Sequence, residues 1–238
     1  MLPSSHRLRQ YSITSDNDSD NIDNDRCPEY ALNWEHLLNQ QHWLPGHDYF
    51  LGNSENITDN EELRKILSEK FTRGTLTKKI IFCDLDGVLA DFEKGVINRF
   101  NKPIDELNRG IMWGFINKSK TFFEKLPWMP KGRKLWEQIK QYDPIILTGV
   151  GYSSTAAEQK RKWCERELGK EIHVITCSSK NKQKFCITNS ILIDDLTNNL
   201  TAWNSKGGKF ILYNENIQEE IIEKIHKYME TEQGLNTP

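Results

Sequence analysis

The residues best suited to chemistry are four carboxylates and one hydroxyl, each at the end of a short apolar run: Asp84, Asp86, Thr148, Asp194 and Asp195. Two carboxylates two residues apart leave an extended chain on the same side, and Gly87 then permits a sharp turn. Several carboxylates gathered together repel one another unless a proton or a divalent cation compensates. Because a set of oxygen ligands suits magnesium, the pattern predicts a Mg²⁺ site.

Five apolar runs rich in isoleucine predict the strands that position these groups: KIIFCD (79–84), PIILTG (144–149), IHVITC (172–177), SILIDD (190–195) and KFILYN (209–214). Amphipathic segments at about 131–141, 155–168, 180–187 and 197–205 lie between these runs, and one at about 216–230 follows the last. Continuously apolar strands that alternate with helices predict a parallel sheet covered on both faces. Ligands of such sheets bind beyond the carboxyl ends of the strands. We therefore expect a three-layer, Rossmann-like α/β fold with its site at that edge.

The remaining chain divides by composition. Residues 1–28 are acidic and rich in Asn and Ser, which predicts a disordered tail. Residues 29–75 predict a helical amino-terminal extension, because apolar residues recur at helical spacing between Tyr30 and Trp43 and again after an Asp59/Glu62 capping box. The core is expected at 76–230, and residues 231–238 are expected to form a second disordered tail.

Overall charge and cysteine content exclude several classes of protein. The net charge of -2 over 238 residues supplies no general attraction to nucleic acid or to an anionic membrane. No apolar run approaches the roughly 20 residues of a membrane-spanning helix, so no membrane partner is expected. Five cysteines without a CxxC pair are typical of a reducing compartment. We expect a cytoplasmic protein, with an organellar transit segment around Arg7 and Arg9 as the alternative.

Three motifs in order, IIFCDLDGVLADF, ILTG and ILIDD, resemble those of the haloacid dehalogenase-like phosphohydrolase superfamily over residues 78–213. The resemblance implies that Asp84 is a nucleophile that forms an aspartyl-phosphate. It also implies that Asp86 protonates the leaving alcohol and then activates water, and that Thr148 and Gly149 bind the phosphoryl group. The implied Mg²⁺ ligands are Asp84, Asp194, Asp195 and the main-chain carbonyl of Asp86.

The family also requires a lysine between the third strand and the Asp-Asp motif. The segment CSSKNKQK contains three lysines, of which Lys180, nearest the strand end, is the first choice and Lys182 the second. Lys184 is expected on a solvated helix face. Lys160, on the helix after Thr148, is a candidate for a further phosphate contact.

Residues 92–129 are too long for a simple connection and are rich in aromatic side chains. In this position the family inserts a cap that selects the substrate, and the layout is similar to the 5'(3')-deoxyribonucleotidase-like branch. The resemblance implies that Phe92 stacks on a nucleobase, and Trp113 is a second candidate for that contact. The alternative is that these rings form the cap's own core.

The sequence therefore predicts a magnesium-dependent phosphomonoester hydrolase with a small phosphorylated substrate, and a 5'-nucleotidase-like activity on small nucleotides is the leading choice. One alternative is hydrolysis of phosphate ends on nucleic acid or protein, since six basic residues could line the path of a larger anion: Lys118, Lys120, Lys125, Lys131, Arg133 and Lys134. The other alternative is a non-catalytic binding module of the same fold. The sequence does not indicate an oligomeric state.

Overall fold

A computed structural model describes residues 57–74, 77, 79–151 and 153–231. The predicted acidic tail (1–28), the first predicted helix (about 30–43) and residues 232–238 of the predicted second tail lie outside these ranges. Within them, no helix is both long enough and apolar enough to cross a membrane.

Strands and helices alternate along the described chain. The strands are β1 (Ile81–Cys83), β2 (Ile145–Gly149), β3 (Val174–Cys177), β4 (Ile191–Asp194) and β5 (Lys209–Leu212). The α-helices are α1 (Ile57–Thr72), α2 (Phe92–Phe100), α3 (Arg109–Lys118), α4 (Gly132–Ile139), α5 (Ala156–Glu167), α6 (Leu200–Ser205) and α7 (Gln218–Glu230). Short 3₁₀ segments include Ser179–Phe185 after β3 and Thr197–Asn199 after β4. All five predicted strands are present.

The described strands form one parallel sheet in the order β3-β2-β1-β4-β5. In the centre, Cys83 of β1 pairs with Ile146 of β2 on one side and with Ile193 of β4 on the other. Because the strands are parallel, their carboxyl ends share one edge, where the predicted site residues lie at or directly after the ends of β1, β2 and β4. The predicted Rossmann-like parallel sheet is confirmed.

Helices cover both faces of the sheet, because alternate residues of each strand point to opposite sides. Ile81, Ile146 and Ile193 belong to an apolar cluster that includes residues of α4, α5 and α7. Phe82 and Leu192 belong to a second cluster with residues of α1 and α6. All five of these strand side chains are fully buried. The three-layer arrangement follows from this division.

Helix α1 packs on the sheet face that contains Phe82 and Leu192, whereas the sequence predicted it as part of an amino-terminal extension. Its buried Leu63 and Leu67 lie in the cluster that contains Phe82. The helix begins at Ile57, two residues before the predicted cap Asp59. Near its end, the buried Lys70 ammonium contacts the carboxylate and the carbonyl of Asp143, before β2. The apolar spacing that predicted the helix contains no information about the sheet face against which it packs.

The segment between β1 and α4 contains the predicted cap, including α2 and α3. Its two ends lie side by side: Asp91 N donates to Pro127 O at 2.8 Å, and Met129 N donates to Leu89 O at 2.7 Å. Its interior is apolar, and Phe122 and Phe123 belong to the apolar cluster that contains Ile81, Ile146 and Ile193 of the sheet. The cap and core therefore share buried surface close to the site.

Candidate active site

The first carboxylates follow β1 as predicted. Asp84 continues the ladder, because its N–H donates to Ile193 O of β4 at 2.9 Å, and the residue is only 5% exposed. Leu85 is buried, whereas the Asp86 side chain is 24% exposed. The chain then turns at Gly87, whose φ of +82° is unfavourable for residues with a side chain. Asp84 therefore lies at the floor of the site and Asp86 nearer solvent.

Lys182 connects two of the carboxylates. Its Nζ lies 2.8 Å from Asp84 Oδ2 and 2.7 Å from Asp194 Oδ2, and its side chain is 3% exposed. Burial alone would lower the pKa of Lys182, but Asp84 and Asp194 together raise it above its usual value. The lysine is therefore a fixed positive charge beside the predicted nucleophile.

Asp84, Asp194 and Asp195 form a cluster in which one carboxylate oxygen of each lies within 4.8 Å of the others. Asp84 Oδ1 and Asp195 Oδ1 are buried and have no hydrogen-bond partner among the described residues. Burial and the neighbouring Asp84 raise the pKa of Asp194 to about 6, although Lys182 opposes this rise. Burial, Asp84 and Asp194 raise the pKa of Asp195 well above its usual value. This oxygen-only cluster fits a divalent cation such as Mg²⁺.

The phosphoryl-binding groups predicted at the end of β2 lie beside Asp86. Thr148 is fully buried, and its Oγ1 accepts a hydrogen bond of 3.0 Å from Lys160 Nζ of α5. The same ammonium lies 2.8 Å from Asp86 Oδ2 and donates to Gly149 O. Burial raises the pKa of Asp86, although Lys160 opposes this rise. Lys160 therefore joins the ends of β1 and β2.

The geometry reverses the order of preference for the lysine after β3. Lys180 is exposed, whereas Lys182 is buried against Asp84. Both lie in the 3₁₀ segment Ser179–Phe185, in which residues three apart share a side. Lys182 therefore lies on the same side as the fully buried Phe185. The contact with Asp84 is therefore made by Lys182, the second choice, and not by Lys180, the first.

Phe92 lies inside an aromatic cluster. Its ring is 5.4 Å from that of Trp113 and 6.3 Å from that of Phe123, both nearly parallel to it, and 5.6 Å from the ring of Phe122. Phe123 in turn lies 5.1 Å from Lys160 Nζ. Trp113, at 40% exposure, is the most exposed of these rings. The cluster therefore extends from Phe123, beside Lys160, to the accessible indole of Trp113.

Two polar residues near the site escaped the sequence analysis. Gln159, 2% exposed, accepts from Phe123 N at 3.0 Å and donates to Ser119 O at 2.9 Å, so it fastens the cap to α5. Ser179 lies so close to Gly149 that a Cβ on that glycine would be 2.0 Å from Ser179 Oγ. The only sequence signal for Gln159 was its place next to Lys160.

Comparisons with known proteins give structural similarities alone. No family model and no curated protein matches the chain. The similar solved structures include a haloacid dehalogenase-like family hydrolase from Streptococcus pneumoniae, with 14% identity over 58% of this chain and 84% of that one and a TM-score of 0.38. A predicted phosphatase from Clostridium acetobutylicum has 13% identity over 63% and 98% of the two chains and a TM-score of 0.41.

A haloacid dehalogenase-superfamily hydrolase from Ehrlichia chaffeensis is also similar, with 10% identity over 63% of this chain and 96% of that one and a TM-score of 0.39. Similarities this distant assign no activity. The α/β, Rossmann-like classification of this chain therefore rests on its own sheet order and on the helices that cover both faces.

Proposed function

We propose that the protein is a magnesium-dependent phosphomonoester hydrolase that acts through an aspartyl-phosphate on Asp84. The observation that carries this proposal is the position of Asp84. Asp84 follows the central strand β1 directly. Its carboxylate is buried, contacts the Lys182 ammonium and belongs to the acidic cluster. Asp86, two residues further, is held apart from that cluster by Lys160. This arrangement supports attack by Asp84 and proton transfer by Asp86.

Mg²⁺ would be held by Asp84, Asp194 and Asp195, with the main-chain carbonyl of Asp86 as the further ligand that the family resemblance implies. The buried carboxylate oxygens without hydrogen-bond partners support this assignment. When bound, the ion offsets the negative charge of the phosphoryl group and of the carboxylate that approaches it.

In the first step, an Asp84 oxygen attacks phosphorus while the ester P–O bond breaks and Asp86 gives its proton to the leaving oxygen. In the second, Asp86 takes a proton from water, the water oxygen attacks phosphorus, and the Asp84–phosphoryl bond breaks to release inorganic phosphate. Lys182 orients Asp84 throughout. Because Thr148 Oγ1 accepts from Lys160, its own hydroxyl hydrogen is left to donate to a phosphoryl oxygen.

A small nucleotide is the proposed substrate, hydrolysed in a 5'-nucleotidase-like reaction. The aromatic cluster that runs from Phe123, beside Lys160, through Phe92 to Trp113 supports this choice. Aromatic faces bind nucleobases by stacking. Because Phe92 is surrounded by three rings, Trp113 is the better candidate for direct contact with a base.

Hydrolysis of phosphate ends on nucleic acid or protein has less support. Lys131 donates to Glu215 O, while Arg133 and Lys134 pair with glutamates, so three of the six basic residues already have partners. The non-catalytic alternative is disfavoured because Asp84, Asp86, Thr148 and Lys182 are all present at the carboxyl edge of the sheet. The described thiols, which form no disulfide, are compatible with the proposed cytoplasmic location.

Hydrolysis of p-nitrophenyl phosphate with Mg²⁺ and with EDTA tests the proposal. Activity should disappear in EDTA and with Asp84→Asn, while Asp105→Asn, an exposed acid of the cap, should leave it unchanged. Asp86→Asn should lose more activity on an alkyl phosphate than on an aryl one, because a good leaving group needs little protonation. Full activity in EDTA would exclude the metal, and full activity of Asp84→Asn would exclude the nucleophile.

A parallel screen of nucleoside monophosphates, sugar phosphates and phosphopeptides addresses the substrate. A nucleotide should give the highest kcat/KM. Preference for a phosphopeptide would instead favour the alternative with macromolecular substrates.

A further inference from the structure

The ammonium of Lys160 is fully engaged by protein. Its side chain is 3% exposed, and Nζ contacts Thr148 Oγ1 at 3.0 Å, Asp86 Oδ2 at 2.8 Å and Gly149 O. A lysine ammonium has three N–H donors, and these three acceptors account for all of them. No N–H of Lys160 is left for a phosphoryl oxygen.

Lys182 differs from Lys160 in this respect. Its contacts among the described residues are Asp84 Oδ2 and Asp194 Oδ2, so two of its three donors are used. The third remains for an oxygen of the substrate. The two buried lysines therefore have different contacts: Lys182 contacts Asp84 and Asp194, whereas Lys160 contacts Asp86 and the end of β2.

Asp86 depends on Lys160 for its orientation. The contact with Lys160 Nζ is the one described ion pair or hydrogen bond of the Asp86 carboxylate, and Asp86 Oδ1 has no partner among the described residues. The same ammonium is fixed to the end of β2 through Thr148 and Gly149. Lys160 thereby sets the position of the carboxylate relative to the phosphoryl-binding hydroxyl.

We infer that Lys160 is a positioning residue for Asp86 and is not a phosphate ligand, which replaces the phosphate contact predicted from the sequence. This inference rests on the proposed phosphatase activity. Proton transfer to the leaving oxygen requires the donor within hydrogen-bond reach. Loss of Lys160 should therefore impair the reaction most where the leaving group needs a proton.

The test compares Lys160→Met with Lys162→Met, an exposed lysine of the same helix that pairs with Glu158. Each variant is assayed on p-nitrophenyl phosphate and on glycerol 2-phosphate, and inhibition by inorganic phosphate is measured. The ratio of the two kcat/KM values in one preparation does not depend on its folded fraction. If Lys160→Met is insoluble, Lys160→Gln, which keeps two donors, replaces it.

We expect Lys160→Met to lose about 30-fold or more on glycerol 2-phosphate and less than about fivefold on p-nitrophenyl phosphate, within the contribution of a general acid. Its inhibition constant for phosphate should stay within about threefold of wild type, whereas Lys182→Met should weaken phosphate binding. In an Asp86→Asn background, Lys160→Met should add less than about threefold, because both changes remove the same function. Lys162→Met should behave as wild type.

Equal losses on both substrates, or phosphate inhibition weakened about tenfold by Lys160→Met, would overturn the inference. An additive double variant would also overturn it. These results differ from a failure of the proposed function, in which wild-type protein hydrolyses neither substrate and the inference is lost with it.

Discussion

Replacing Gly87 with alanine is expected to weaken Mg²⁺ binding by about tenfold or more while leaving the fold intact. A Cβ at this position would lie 2.3 Å from Asp195 Oδ2, whereas real Cβ contacts are essentially never below 3.0 Å. The Asp195 carboxylate must therefore move by about 0.7 Å or more. Metal–ligand distances tolerate only about 0.2 Å, so this displacement is large for a ligand of Mg²⁺.

Backbone strain is a second effect of the same substitution. A residue with a side chain at positive φ costs about 1–2 kcal/mol, and Gly87 has a φ of +82°. Gly74→Ala is the matched control, because Gly74 has a φ of +70° but no atom within 4 Å of the added Cβ. Both variants should lose similar stability from strain, and only Gly87→Ala should also disturb the acidic cluster.

The assay is the Mg²⁺ dependence of p-nitrophenyl phosphate hydrolysis, together with the rise in Tm that Mg²⁺ produces. Binding to the folded state raises Tm according to affinity, so this second readout does not require activity. A tenfold rise in the half-saturating Mg²⁺ concentration corresponds to about 1.4 kcal/mol. The reasoning is refuted if Gly87→Ala matches wild type in both measurements, or if Gly74→Ala shows the same loss of affinity.

Three further predictions concern the substrate contacts, the packing of α1 and the acidic segment 1–28. Trp113→Ala should lower kcat/KM for a nucleotide by the equivalent of about 1–3 kcal/mol but leave kcat/KM for glycerol 2-phosphate unchanged. Phe92→Ala should instead destabilise the fold by about 3–5 kcal/mol and lower kcat/KM for both substrates. The opposite pattern would make Phe92 the stacking residue. Leu63→Ala should lower the free energy of unfolding in urea by about 2–5 kcal/mol. Phe71 is on the same helix and is 55% exposed, so Phe71→Ala should lower it by less than about 0.5 kcal/mol. Equal losses would show that α1 does not pack as described. Deleting residues 1–28 should leave kcat/KM unchanged, because this acidic segment has no excess positive charge with which to bind phosphate; a large loss in a folded protein would contradict this.

The sheet and the edge that contains the candidate site could be predicted because the strands are continuously apolar and end in chemically distinctive residues. Asp84, Thr148 and Asp194 each follow such a run directly, and parallel strands bring their carboxyl ends together. Local composition was sufficient for this part of the fold.

The lysines could not be assigned in the same way, because the orientation of a side chain depends on the local helix type. The 3₁₀ segment repeats every three residues and so places Lys182 on the same side as Phe185. The spacing of the three lysines in the sequence does not predict this type of helix. Likewise, the sequence placed Lys160 on the helix after β2 but could not show the three acceptors that surround its ammonium. These assignments depend on contacts between distant parts of the chain.

The central position of β1 also has a consequence for the order in which the protein folds during synthesis. Ile81 of β1 pairs with Ile191 of β4, about 110 residues later in the chain. Contacts between such distant residues form slowly, because a long loop must close before they stabilise the structure. Until β4 has left the ribosome, one edge of β1 has no partner and Asp84 has neither Asp194 nor Asp195 beside it. A nascent chain that ends before Ile191 therefore lacks the acidic cluster, and we expect it to be prone to aggregation through its exposed strand.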